Sequence, residues 1–164
     1  MLLTEDSTLK VCDFGTCAEA STDPDYSVYV ADNMRTTYCG TFEYMAPEMI
    51  EQLPHDHQVD TWALGILLFE LMHGYAPFRD ERVFVILRQI KSLATSKEAI
   101  KFETGISQSF KDLIYAMLVP KPSERLPLEE VFHHPWVLHF QQKHGISFQP
   151  DSYEPAQNSP LSSE

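Results

Sequence analysis

Few side chains in this sequence combine a reactive type with a telling position. Asp13 stands in Asp13-Phe14-Gly15, just after Leu9-Lys10-Val11-Cys12, and a turn carboxylate after a strand is the plain reading of it. Glu70 is the only charged residue between Trp62 and Met72. A carboxylate in apolar surroundings must find a partner or open onto a cleft, because desolvating its charge is costly. Cys12, Cys17 and Cys39 are an odd set without a Cys-x-x-Cys pair. That speaks against a disulfide framework or a zinc site and for a reducing compartment. The histidines add no metal site: His55 and His57 lie in a polar turn, and His133 and His134 precede Pro135. Helix-end or surface roles account for them.

These residues need a scaffold, and the chain is organised around the stretch Val59–Gly74. From Trp62 to Met72 it is apolar on every side except at Glu70, and a helix apolar all round is a buried one. It is too short to cross a bilayer, which takes about 20 residues. Asp60 at its start can cap free N–H groups and meet the positive end of the helix dipole. Gly74 is the expected stop.

The other elements wrap on it. Leu9-Lys10-Val11-Cys12 reads as a short strand with Leu2-Leu3 as its hairpin partner. Residues 16–33 form a long polar loop. Glu43–Ile50 opens a short helix with Pro47 near its first turn. Glu81–Ser92 is amphipathic, with Val83, Phe84, Ile86, Leu87 and Ile90 as its apolar residues, and Ser107–Val119 is a further helix ended by Pro120 and Pro122. Leu93–Gly105 carries little signal, and Pro127–Phe132 starts a last short helix finished by His134-Pro135-Trp136-Val137. Residues 149–164, rich in Ser, Pro and Gln, read as a disordered tail.

With 43% apolar and 12% aromatic residues, the 164-residue chain can bury the core of one domain. A formal net charge of -12 argues against nucleic acid or an anionic membrane as the main partner, since both need basic patches. The N-terminus has neither the basic start nor the apolar core of a signal peptide.

Four motifs stand in fixed order: Asp13-Phe14-Gly15, Ala46-Pro47-Glu48, Asp60-x-Trp62-x-x-Gly65, and Arg125 before the final helix. Together they resemble the eukaryotic protein kinases from roughly Leu9 to Val137. The run from Thr36 to Ile50 is most similar to the Aurora kinases, and next to the AGC kinases. The resemblance implies a mainly α fold. Residues 1–140 would be a partial protein kinase domain, the C-terminal helical lobe of a Ser/Thr kinase with a short β hairpin and the activation segment at its N-terminus. Residues 141–164 would be the tail.

The resemblance also implies roles. Asp13 matches the family's metal ligand, where a hard carboxylate oxygen holds Mg²⁺ on the ATP phosphates. Phe14 would pack inward to set that loop, and Gly15 would allow a sharp turn. Glu48 and Arg125 match a buried structural ion pair, and Asp60, Trp62 and Gly65 match structural positions of the central helix. Thr37, with Thr36 as the alternative, matches the activation-loop phosphorylation site, where a phosphate could order the loop by pairing with arginines. Thr41 matches the position that separates Ser/Thr from Tyr kinases. Glu70 matches an acidic position that receives a substrate arginine in basophilic relatives. A buried structural carboxylate is the competing reading.

Other parts of the pattern are absent from the sequence. It has no Gly-x-Gly-x-x-Gly loop, no Val-Ala-Ile-Lys lysine and no His-Arg-Asp catalytic loop. The catalytic Asp is expected upstream of Met1, so no catalytic residue is assigned here, and ATP and Mg²⁺ would require the complete kinase domain. Expected partners are basic protein substrates and a regulatory protein or upstream kinase, in the cytoplasm or nucleus. Two readings remain. The chain is part of a Ser/Thr protein kinase and inactive alone, or it is a non-catalytic module that binds substrates or regulators. The surface left bare separates them: without upstream helices the central helix would lose neighbours and expose apolar area, which favours aggregation or a partner.

Overall fold

A computed structural model describes residues 2–5, 8–15, 17, 41–93 and 95–145. Thr36 and Thr37, nearly all of the expected 16–33 loop, and the 149–164 tail lie outside the described residues. The architecture is mainly helical. Its elements in order are β1 (Leu2–Leu3), β2 (Leu9–Lys10), α1 (Pro47–Ile50), α2 (Gln58–His73), α3 (Val83–Ser92), α4 (Gln108–Met117), α5 (Leu128–Val131) and α6 (Pro135–His144). The two short strands pair antiparallel, Leu2 opposite Lys10 and Leu3 opposite Leu9, as the sequence suggests. Three 3-10 turns, Phe42–Tyr44, Lys97–Ala99 and Pro122–Glu124, complete the set, and the second falls in the stretch that carried little signal.

α2 is the axis of the fold. Thr61, Trp62, Gly65, Ile66 and Phe69 lie on its buried side, against α4 and residues from the loops around them. Trp62 stacks on Phe78 with ring centroids 6.0 Å apart. Gly65 lets α4 close in: a Cβ there would stand 3.1 Å from Met117 Cβ and 2.9 Å from Leu118 Cδ2. Gly74 ends the helix at φ 78°, its N–H bonding Glu70 O at 2.7 Å. Only glycine takes that left-handed turn without strain.

Two expectations about α2 need correction. It begins at Gln58, and Asp56 accepts the Gln58 N–H at 2.9 Å. Asp60 is therefore exposed in the first turn rather than at the cap, still at the positive end of the dipole. Nor is the helix buried all round. Leu71 is 72% exposed and Met72 is also exposed, because among the described residues nothing covers the side opposite the core.

The flanking helices follow their local signals with shifted ends. α4 starts one residue late, behind a Ser107 cap whose Oγ accepts the Phe110 N–H at 3.3 Å. α3 starts at Val83, and its buried residues are Ile86 and Ile90. Phe84, expected on the apolar face, points outward. α6 is a ten-residue helix where the sequence suggested only an ending. Pro135 sits at the first position, where its missing N–H costs nothing. His134 caps it by accepting the Trp136 N–H at 3.3 Å. Trp136 then packs edge-on against Phe110, centroids 5.0 Å apart.

Candidate functional site

The segment from Thr41 to Ile50 enters through a 3-10 turn closed by Tyr44 N–H to Thr41 O at 3.0 Å and Met45 N–H to Phe42 O at 3.2 Å. Met45, Ala46, Pro47 and Glu48 then bury themselves. Pro47 at the first position of α1 fixes a helical φ. Two contacts fasten this segment to α2 and its surroundings.

The first is Glu48 with Arg125. Arg125 Nη1 donates to Glu48 Oε1 and Nη2 to Oε2, both at 2.6 Å. The remaining guanidinium donors reach Val119 O at 2.8 Å, Gln58 O at 3.0 Å and Pro120 O at 3.2 Å. Its five N–H groups each have an acceptor, and the planar fork matches the carboxylate. The guanidinium also lies over the Trp62 ring, 5.1 Å from its centroid. Arg125 is 3% exposed and Glu48 5%. Such burial is tolerable only because both charges are paired and saturated with hydrogen bonds.

The second is Tyr44 with Glu70. The Tyr44 hydroxyl donates to Glu70 Oε2. That bond above all, with desolvation and the nearby Glu70 and Glu43 charges, pushes the phenol up to about 12. Tyr44 therefore stays a donor throughout the neutral range. Glu70 is half-buried, and its Oε1 has no protein donor among the described residues. The expected alternatives meet here: the carboxylate has a structural partner on one oxygen and a free acceptor on the other. Thr41, at the start of the same turn, is exposed and makes no cap bond with its side chain. Glu43 is exposed beside them. The arrangement can hold a cation, above all a guanidinium.

The hairpin end behaves differently. Asp13 is exposed, with φ at 67°. The left-handed residue of that turn is thus Asp13 and not Gly15, a conformation that Asp tolerates better than most residues. Phe14, expected to pack inward, is 66% exposed, because no described element offers it a pocket. Nor do the residues present assemble a cation site. No three His, Cys, Asp or Glu side chains gather to hold a metal among the described residues. Asp13 alone does not fit the coordination that Mg²⁺ demands.

Sequence reasoning missed Tyr44. The available signal was Glu70 itself, which needed a donor, and Tyr44 is an amphipathic ring with its hydroxyl at the tip. No local pattern joins residues 26 positions apart.

Residues 1–137 match the protein kinase domain family. Aurora kinase A-B of Xenopus laevis is 36% identical over 143 residues, covering 87% of this chain and 31% of that protein. The Aurora kinase of Dictyostelium discoideum is 35% identical over 147 residues, covering 90% of this chain and 33% of that protein. The serine/threonine-protein kinase Aurora-1 of Arabidopsis thaliana is 38% identical over 148 residues, covering 89% and 45%. The chain spans about a third of the length of the first two of these curated relatives. No helix among the described residues is long and apolar enough to cross a membrane.

Proposed function

The chain belongs to the protein kinase family and is most like the Aurora kinases, and on that footing we propose that it is the activation-segment and helical-lobe portion of a Ser/Thr protein kinase. Residues 1–140 form this partial domain, and it acts as a platform for basic protein substrates. The observation that carries the reading is the double fastening of Thr41–Ile50, by Arg125 at Glu48 and by Glu70 at Tyr44. It holds Glu70 with one oxygen that has no donor among the described residues. A substrate arginine would donate to that oxygen, and Thr41 would stand where a substrate hydroxyl is selected.

ATP and Mg²⁺ belong to the family's chemistry, with Asp13 as the proposed contact to the metal in a complete domain. The side chains described here do not build that site, so we derive no phosphoryl transfer from them. Thr37, or Thr36 in its place, is the proposed target of an activating kinase. The second reading, a non-catalytic substrate-binding module, is favoured by one observation: the Tyr44–Glu70 bond is formed entirely by residues of this chain.

Binding tests the platform. A fluorescein-labelled peptide with paired arginines and a serine is titrated with the full chain, and anisotropy is read. Glu70→Gln is expected to weaken binding by about tenfold, the loss of one charge-assisted pair. Equal binding by the wild type and Glu70→Gln would remove Glu70 from the substrate site.

A further inference from the structure

The chain's cations are unevenly placed. Six of its twelve Lys and Arg fall between residues 79 and 101, against three of its twenty-four Asp and Glu. This stretch is a basic island on a protein of net charge -12. α3 runs through it. Ile86 and Ile90 face the core. On the far side, Phe84, Arg88 and Lys91 stand at i, i+4 and i+7, one stripe of the helix, and all three are exposed.

Phe84 is the anomaly. It is 65% exposed on the face that an amphipathic helix gives to water. The Arg82 guanidinium, itself paired with Asp80 at 3.0 Å, lies 5.4 Å from its ring centroid. Arg88 has no acidic partner among the described residues. Lys91 pairs with Glu51, just past the end of α1, which brings the turn carrying the exposed Leu53 alongside the stripe.

We propose that the outer stripe of α3 docks an acidic protein segment carrying an apolar anchor. The anchor side chain lies on Phe84, and a flanking carboxylate pairs with Arg88. Charge complementarity selects this occupant. A second copy of the chain is disfavoured by mutual repulsion of two strongly acidic molecules. Nucleic acid needs a track of cations to neutralise successive phosphates. Outside residues 79–101 the sequence has six basic against twenty-one acidic residues, a surface that repels a polyanion. The stripe is independent of the Tyr44–Glu70 site, which takes charge of the opposite sign.

The test uses the full 164-residue chain and a fluorescein-labelled, glutamate-rich helical peptide with one central leucine, read by anisotropy at low salt. Phe84→Ser and Arg88→Glu are each expected to weaken binding about tenfold or more, with unchanged circular dichroism. Lys121→Glu, a cation that pairs with Glu124 outside the island, is expected to bind as wild type. Replacing the probe's leucine with asparagine is expected to weaken binding too. No binding by the wild type would overturn the proposal. So would binding by Phe84→Ser or Arg88→Glu as tight as that of the wild type, or binding of single-stranded oligothymidylate as tight as that of the peptide.

Discussion

Glu48 and Arg125, 77 residues apart in the chain, meet through two parallel 2.6 Å hydrogen bonds and are both withdrawn from water. This pair ties the segment before α2 to the turn before α5. Three backbone carbonyls complete the guanidinium's set of acceptors. Glu48→Ala strands a buried cation and is expected to cost about 3–5 kcal/mol in urea unfolding. Arg125→Lys is expected to be nearly as damaging, because an ammonium cannot supply the fork. The double variant Glu48→Leu with Arg125→Met is expected to lose less than Glu48→Ala alone. A double variant less stable than both singles would mean that the charges matter beyond their mutual pairing.

The two sides of α2 predict opposite sensitivities. Gly65→Ala gains helix propensity of about 1 kcal/mol but drives a methyl into Met117 Cβ and Leu118. A net loss of about 1–2 kcal/mol is expected. Leu71→Ser, on the bare side, is expected to shift stability by no more than about 0.5 kcal/mol and to reduce self-association. Thermal unfolding and analytical ultracentrifugation of the two variants would check this.

Some of this was legible in the sequence and some was not. The apolar run of α2, its Gly74 stop and the apolar spacing of α4 are local signals, and the structure places them within a residue or two of expectation. The approach of Glu48 to Arg125 followed only from resemblance, since no local physics pairs residues so far apart. α6 was missed because Pro135 read as an ending, although proline at the first position starts a helix equally well. Phe84 was misassigned because period 3.6 alone does not distinguish a core residue from an outward one at the edge of an apolar stripe. Phe14 and the bare side of α2 depend on neighbours that the described residues do not include.

Stability should depend on pH through the α6 cap. Burial pushes the His134 imidazole down, outweighing the nearby Asp112 carboxylate. The folded state binds this proton more weakly than the unfolded chain. The contribution is therefore complete above the ordinary value of 6.5 and is lost as pH falls below it. Protonation also turns the cap acceptor into a donor. His134→Asn keeps an acceptor without the titration, so its stability is expected to vary less between neutral and mildly acidic pH. Identical profiles for the two proteins would remove His134 from the account.

The Tyr44–Glu70 bond predicts alkaline behaviour. With the folded phenol raised from 10.0 to about 12, its stabilising contribution is present below pH 10 and is lost as pH rises towards 12. In a spectrophotometric titration of tyrosinate, Glu70→Gln is expected to move one phenol back towards its ordinary value. A titration curve unchanged by Glu70→Gln would mean that the bond does not persist in solution.

A single incubation separates peptide binding from phosphoryl transfer. The pure chain is mixed with Mg-ATP labelled on the terminal phosphate and with the arginine- and serine-containing peptide. Peptide retention and phosphate incorporation are then both measured. The peptide is expected to be bound through Glu70 and to remain unphosphorylated. Phosphate on the peptide's serine, made by the pure chain, would contradict this.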